Sequence, residues 1–148
     1  MYLSKLTRRL SISSRKFTSE FDFERKFKVG DKVSVVRKIT EDDVMNFAKL
    51  TNDYNPIHVS AEKKLVHGAL LNGFLSGVLG TKLPGPGTIV VHQTLNFLKP
   101  CYAGDTIDIT IEILSARKII KCGYKLVTDD ERVVLEGEGT FVTSKGLK

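Results

Sequence analysis

The residues best suited to chemistry lie in one short stretch, Asp53-Tyr54-Asn55-Pro56-Ile57-His58. Pro56 biases the residue before it away from helical backbone, which predicts a rigid loop that holds Asp53 and His58 on one side. An imidazole can exchange a proton near neutral pH, and a carboxylate beside it can hold a water molecule. The Asn55 amide offers a donor and an acceptor that can fix this geometry. The stretch therefore predicts general acid–base chemistry on a bound water.

The same residue types also build ordinary turns, because Asp and Asn bond readily to nearby backbone and Pro favours a turn. A structural loop without chemistry is therefore the alternative interpretation. The spacing of Asp53 and His58 alone does not exclude it.

A second candidate is the pair His67-Gly68, at the start of a long segment that carries almost no charge. The first N–H groups of a helix are free and carry partial positive charge, so the Gly68 N–H could polarise a substrate carbonyl. Alternatively, Gly68 only allows close packing and His67 only caps the helix. The spacing of His58, His67 and His92 matches no pair of metal ligands on one helix, so we predict no metal site.

The elements that must position these residues follow from hydrophobic periodicity. We expect a strand over residues 33–39, and then a helix capped by Thr40, with acidic residues 41–43 in its first turn. The segment from His67 to Lys82 predicts a long helix that is buried on all sides. Several small residues in it predict a surface that a sheet can approach closely: Gly68, Ala69, Gly73, Ser76, Gly77 and Gly80.

Four apolar–polar alternations follow, over residues 89–97, 107–113, 120–126 and 133–141. Their short connections predict one antiparallel meander of all four strands. A strongly curved antiparallel sheet around one buried helix is the hotdog architecture. We therefore predict a single α+β hotdog domain over residues 28–148.

The charge of the chain is concentrated at its beginning. The 148 residues include 23 Lys and Arg against 17 Asp and Glu, but five of those basic residues and no acidic one lie in residues 1–19. This segment is also rich in Ser, and Leu3, Leu6 and Leu10 have helical spacing, which is typical of a mitochondrial transit peptide. A basic tail without a targeting role is the alternative. Residues 20–27 would form a linker.

Composition also excludes several classes of function. The remainder of the chain is close to neutral, which gives no basic face for nucleic acid. No apolar run approaches the roughly 20 residues of a membrane-spanning helix, so we expect no membrane insertion. Two cysteines, Cys101 and Cys122, are too few for a disulfide framework, and we expect buried free thiols.

Two stretches, from Phe47 to His58 and from Val66 to Gly80, closely resemble the hydratase motif of the MaoC-like family. The resemblance covers about residues 28 to 143. Members of this family are (R)-specific enoyl-thioester hydratases and 3-hydroxyacyl-thioester dehydratases with a hotdog fold. Residues 80–87, together with the basic beginning of the chain, are similar to the mitochondrial dehydratases of the family.

The resemblance implies a role for each site residue. Asp53 and His58 would activate water against C3 of a trans-2-enoyl thioester and exchange a proton at C2. The Gly68 N–H would polarise the thioester carbonyl, and Asn55 would support the geometry of the catalytic pair. Two further positions would bind substrate or support the site: His67 and Ser76.

The resemblance also implies the cofactor requirement, the acyl carrier, the oligomeric state and the location of the enzyme. The thioester itself acidifies C2, so no cofactor is expected. The substrate would be carried by coenzyme A or by acyl carrier protein. The enzyme would act as a homodimer in the mitochondrial matrix, with two sheets joined edge to edge.

The chain departs from the family pattern between His58 and His67, where family members usually carry a longer stretch than the eight residues from Val59 to Val66. A catalytically impaired hotdog that acts as a binding or structural partner is therefore one alternative function. An acyl thioesterase is another. Hotdog thioesterases usually use an acid on the central helix, and residues 68–80 contain none.

Overall fold

A computed structural model describes residues 27–143, so the predicted transit peptide and nearly all of the linker lie outside the described residues. The elements follow in the order β1 (Lys32–Lys38), α1 (Glu41–Thr51), α2 (Pro56–Val59), α3 (Gly68–Thr81), β2 (Thr88–Gln93), β3 (Thr106–Ala116), β4 (Ile120–Thr128) and β5 (Val133–Thr143). The five strands form one antiparallel sheet in the order β1-β3-β4-β5-β2. The predicted α+β hotdog fold is confirmed.

The core lies between α3 and the sheet. The predicted alternation of β3 is confirmed, because Ile107, Ile109, Ile111 and Ile113 are at most 1% exposed while the residues between them are more accessible. The side of α3 that joins the same core contributes Leu70, Leu71, Leu75, Val78 and Leu79.

The predicted meander of four strands is wrong for β2. Strands β3, β4 and β5 pair in sequence, but β2 pairs with β5 at one edge and β3 lies on the far side of β4. The twelve residues 94–105 between β2 and β3 provide enough chain to cross the sheet. Gly137 in β5 lets Thr94, directly after β2, lie close against that strand, since a Cβ there would lie 1.9 Å from the carbonyl oxygen of Thr94.

Helix α1 begins as predicted. Thr40 and Asp43 form a reciprocal capping box, in which the Thr40 hydroxyl accepts from the Asp43 N–H and the Asp43 carboxylate accepts from the Thr40 N–H. Val44 and Ala48 are buried on the inner face. The helix ends at Asn52, whose left-handed backbone, with φ of 59°, turns the chain into the next segment.

The expectation of a loop around Pro56 is wrong in part, because Pro56–Val59 form the short helix α2. Asn55 caps this helix through its side-chain oxygen, which accepts from the Ile57 N–H. Pro is favoured at the first position of a helix, where no N–H is needed. His58 therefore lies on a helical turn rather than in the loop itself.

Helix α3 confirms the predicted long element but not its burial on all sides. Five small residues along it are exposed: Ala69, Gly73, Ser76, Gly77 and Gly80. A Cβ added at Gly73, Gly77 or Gly80 would meet nothing within 4 Å, so the prediction that a sheet packs closely on them is also wrong. The low charge of this segment reflects one buried apolar face and one open face of small residues.

Both cysteines are buried free thiols, as expected, and burial raises the pKa of Cys101 and of Cys122 to about 12. Within residues 27–143, no helix combines the length and the apolar character needed to cross a membrane.

Candidate active site

Asp53 follows the end of α1 in a tight turn. One carboxylate oxygen, Oδ1, accepts a hydrogen bond from the Asn55 N–H at 3.2 Å, and this contact orients the side chain. The carboxylate stays accessible, with its side chain 50% exposed. It can therefore reach a water molecule or a substrate from solvent.

His58 is held almost fully buried by α2, with 8% of the residue exposed. Its Nδ1 lies 2.6 Å from the carbonyl oxygen of Leu65. A carbonyl only accepts, so Nδ1 carries the proton of the neutral ring and Nε2 keeps a free lone pair. This tautomer is the one that could accept a proton through Nε2.

The short segment after His58 positions the Leu65 carbonyl that bonds to the His58 ring. The Leu65 N–H donates to the Ile57 carbonyl at 3.0 Å, and the Val66 N–H donates to the Cys101 carbonyl at 2.8 Å. These bonds fix the Leu65 carbonyl against His58 and return the chain to the start of α3. The sequence did not point to Leu65, because a backbone carbonyl leaves no signal in residue type.

His67 meets both candidate residues, although it is only 2% exposed. Its ring stacks on that of His58, with centroids 3.8 Å apart and planes inclined by 24°. Its Nε2 lies 3.1 Å from the Asp53 carbonyl oxygen and 4.0 Å from Asp53 Oδ2. Phe47 of α1 packs on His67 as well, at 4.9 Å between centroids.

One ligand atom from each of Asp53, His58 and His67 lies within 4.8 Å of the other two. Carboxylates and imidazoles bind transition metals, but the lone pairs of an imidazole lie in the plane of its ring. Two stacked rings do not aim those lone pairs at one point, so an ion bound by both would require a ring to turn. His92, the third histidine of the sequence, is exposed on β2 and is not part of this group.

Gly68 occupies the first position of α3, directly after His67. A Cβ at this position would lie 3.0 Å from the ring of Phe97, so only glycine fits there without displacing that ring. The N–H groups of Leu70 and Leu71 both donate to the His67 carbonyl, whereas no acceptor for the Gly68 N–H occurs among the described residues. Phe97, which the sequence pattern predicted only as part of a strand, is a half-exposed apolar wall beside this N–H.

Ser76 does not join this group of residues. It is exposed, two turns beyond Gly68 on α3, which corresponds to about 12 Å along the helix axis. The structure thus brings together five of the six predicted residues: Asp53, Asn55, His58, His67 and Gly68.

A model of the MaoC-like domain matches residues 22–134 of the chain. An (R)-specific enoyl-CoA hydratase of Rhodospirillum rubrum is 39% identical over 125 residues, which cover 78% of this chain and 87% of the relative. A mitochondrial 3-hydroxyacyl-(acyl-carrier-protein) dehydratase of Solanum lycopersicum, FERN, is 33% identical over 148 residues, covering 91% of this chain and 88% of the relative.

The (R)-hydratase from A. caviae involved in PHA biosynthesis has a similar structure, with a TM-score of 0.76 and 29% identity over 80% of this chain and 98% of that one. The chain belongs to the MaoC-like family. Both the predicted family and the predicted class of enzyme, a hydro-lyase, are confirmed.

Proposed function

We propose that this hydro-lyase interconverts (R)-3-hydroxyacyl thioesters and trans-2-enoyl thioesters by removing or adding water. The observation that carries the proposal is the placement of the Asp53 carboxylate within 4.8 Å of a ring nitrogen of His58, next to the N-terminus of α3. Relatives with hydratase names and with dehydratase names support both directions of the reaction.

In the direction of hydration, Asp53 and His58 hold one water molecule between them. His58 Nε2 takes a proton from this water as its oxygen attacks C3 of the enoyl thioester. The electron pair of the C2–C3 double bond moves toward the thioester carbonyl, whose oxygen becomes negative and accepts from the Gly68 N–H. A proton then reaches C2 from the same catalytic pair, so the product contains one added water.

The other residues have supporting roles in this proposal. Asn55 caps α2 and orients Asp53, which sets the distance between the two catalytic groups. Phe97 shields the carbonyl site from bulk water. Ser76 belongs to the acyl-binding surface rather than to the reacting centre, because it lies far along α3.

The test uses the full chain with crotonyl-CoA and with the same acyl group on acyl carrier protein. Loss of the conjugated enoyl absorbance reports hydration, and a thiol reagent reports thioester cleavage. We expect hydration without thiol release, and we expect Asp53→Asn to lower kcat/KM by about 100- to 10,000-fold. Asp129→Asn changes another exposed aspartate, in the turn between β4 and β5, and serves as the matched control.

Thiol release would favour the thioesterase alternative. A folded protein that is inactive on both substrates would favour the impaired hotdog. Activity that survives in Asp53→Asn would contradict the assigned catalytic pair.

The enzyme also forms a homodimer in this proposal, through the free edge of β2. This edge is apolar, since Ile89, Val90 and Val91 are 37%, 48% and 53% exposed. An exposed apolar edge strand favours pairing with another strand. Val90→Glu is expected to give a monomer by light scattering, whereas Val36→Glu on the opposite edge, β1, is expected to leave a dimer.

The mitochondrial matrix is the proposed location. The basic, Ser-rich residues 1–19 support it, as do the mitochondrial names of plant relatives. Import into isolated mitochondria should require Arg8 and Arg9, and import of the Arg8→Glu, Arg9→Glu double variant at the normal rate would contradict this proposal.

A further inference from the structure

His67 contacts every group that the proposed reaction uses. Its ring stacks on His58, its Nε2 bonds to the backbone of Asp53, and its own peptide unit leads into the Gly68 N–H. Asp53 and His58 have no hydrogen bond to each other among the described residues. The contact between them runs through His67.

The bond to Asp53 fixes the tautomer of His67. The Asp53 carbonyl only accepts, so Nε2 must carry the proton and the neutral ring is bare at Nδ1. His58 has the opposite arrangement, with the proton on Nδ1 for the Leu65 carbonyl. The two stacked rings thus hold opposite tautomers, each selected by one backbone carbonyl.

This arrangement leaves one polar atom without a partner. His67 Nδ1 is buried and has no hydrogen-bond partner among the described residues. A buried acceptor without a partner is destabilising, and such atoms are rare in folded proteins. A phenylalanine ring at this position would pack between Phe47 and His58 without that unfavourable atom, so packing alone does not account for an imidazole.

We propose that His67 is a positioning residue, whose Nε2–H and ring together hold the Asp53 turn against His58 at the separation that the water reaction needs. This inference rests on the proposed function for its catalytic consequence. It assigns the imidazole of His67 a task apart from substrate contact, because the ring is almost fully buried. The unpartnered Nδ1 is the structural cost of keeping a proton on Nε2.

Two variants distinguish the role of the His67 ring from the role of its Nε2–H. His67→Phe keeps a ring to stack on His58 and loses the donor. His67→Gln loses the ring and keeps a donor at the same number of bonds from Cα. Steady-state kinetics and thermal unfolding are measured for both variants and for the wild type.

We expect His67→Phe to lower kcat by about 10- to 100-fold, because small displacements of catalytic groups have effects of this size. KM should stay within about threefold, since the ring does not reach the substrate. The melting temperature of His67→Phe should stay close to that of the wild type, because removal of the unpartnered Nδ1 offsets the lost hydrogen bond to the Asp53 carbonyl. His67→Gln should retain more kcat than His67→Phe despite a lower melting temperature. A purely structural role predicts the reverse, with kcat following stability in both variants, and that result would overturn the inference.

A second measurement needs no substrate. Nitrogen-15 NMR of the three imidazoles in the full chain reports the tautomer of each, with exposed His92 assigned by its loss in His92→Gln. We expect the Nε2–H form at His67 and the Nδ1–H form at His58 near neutral pH. An Nδ1–H form at His67 would refute the inference whatever the activity. Inactive wild-type protein with both expected tautomers would instead refute the proposed function and the catalytic role of His67, while the geometry would stand.

Discussion

Polar and apolar side chains are placed differently in the strands β3 to β5 and in the segment from Asn52 to Gly68. In the strands, most apolar side chains are buried, most polar ones are accessible, and the backbone ladders are interrupted by only one register shift in each pairing. In the segment, two imidazoles are buried, the buried Nδ1 of His67 has no partner among the described residues, and Tyr54 and Ile57 are about half exposed. The strands hold the fold together, and the segment departs from good packing where the chemistry is proposed.

The largest expected effect on stability comes from the sheet. Ile109→Ala removes a side chain that is 1% exposed and leaves a cavity, which should lower the free energy of unfolding by about 2–5 kcal/mol. Asp53→Asn should change it by less than about 0.5 kcal/mol, because that side chain is half exposed. Urea denaturation of both variants makes the comparison. Equal losses in the two variants would contradict the division between scaffold and site.

Two glycines of α3 test whether stability and activity can be changed separately within one helix. Gly77→Ala should raise the free energy of unfolding by about 0.5–1 kcal/mol, because the position is open and Ala favours helix. Gly68→Ala should displace Phe97 and lower activity by about 10- to 100-fold. Thermal unfolding and the hydration assay distinguish the two effects. Full activity in Gly68→Ala would show that the close approach of Phe97 has no role.

The two buried thiols test whether the core of the native protein excludes a thiol reagent. Burial raises the pKa of Cys101 and Cys122 to about 12, and only the thiolate reacts. At pH 8 a disulfide reagent should therefore modify neither thiol in the native protein and both after denaturation. Rapid modification of the native protein would show that the core opens.

The smallest effect concerns the cap of α1. Burial tends to raise the pKa of Asp43, but hydrogen bonds with Thr40 and the guanidinium of Arg37 outweigh it and lower the pKa. The ionised carboxylate therefore stabilises the fold above its unfolded pKa of about 4, and this contribution disappears as the pH falls through the lower folded value. Asp43→Asn should cost about 0.5–1 kcal/mol at pH 7 and less at pH 2–3. Asp42→Asn, one residue earlier, is the control, and a cost for Asp43→Asn that did not shrink at low pH would refute the capping role.

The sequence predicted correctly those features of the fold that depend on residues close together in the chain. The alternation from Ile107 to Ile113 and the cap at Thr40 were predicted correctly, because strand and helix periodicity depend on neighbouring residues. The position of β2 was not predicted, since pairing with β5 rather than β3 depends on the path of a long connection. The open face of α3 was missed because low charge marks both buried surfaces and surfaces of small residues.

For the site, the motif predicted Asp53, Asn55 and His58 as one group, because they share a short stretch. The contact of His67 with His58 could not be predicted, since it depends on how residues 59–66 return to α3. The roles of the Leu65 carbonyl and of Phe97 are likewise consequences of tertiary structure. These are contacts between segments, and a sequence motif records only its own segment.

The most direct test of the central claim is the configuration of the hydrated product. Full-length protein is incubated with crotonyl-CoA, and the 3-hydroxybutyryl product is separated by chiral chromatography, with His58→Ala as a parallel sample. We expect the (R) product from the wild type and a reaction at least about 100-fold slower from His58→Ala. An (S) product, or an (R) product formed equally fast without the His58 imidazole, would contradict it.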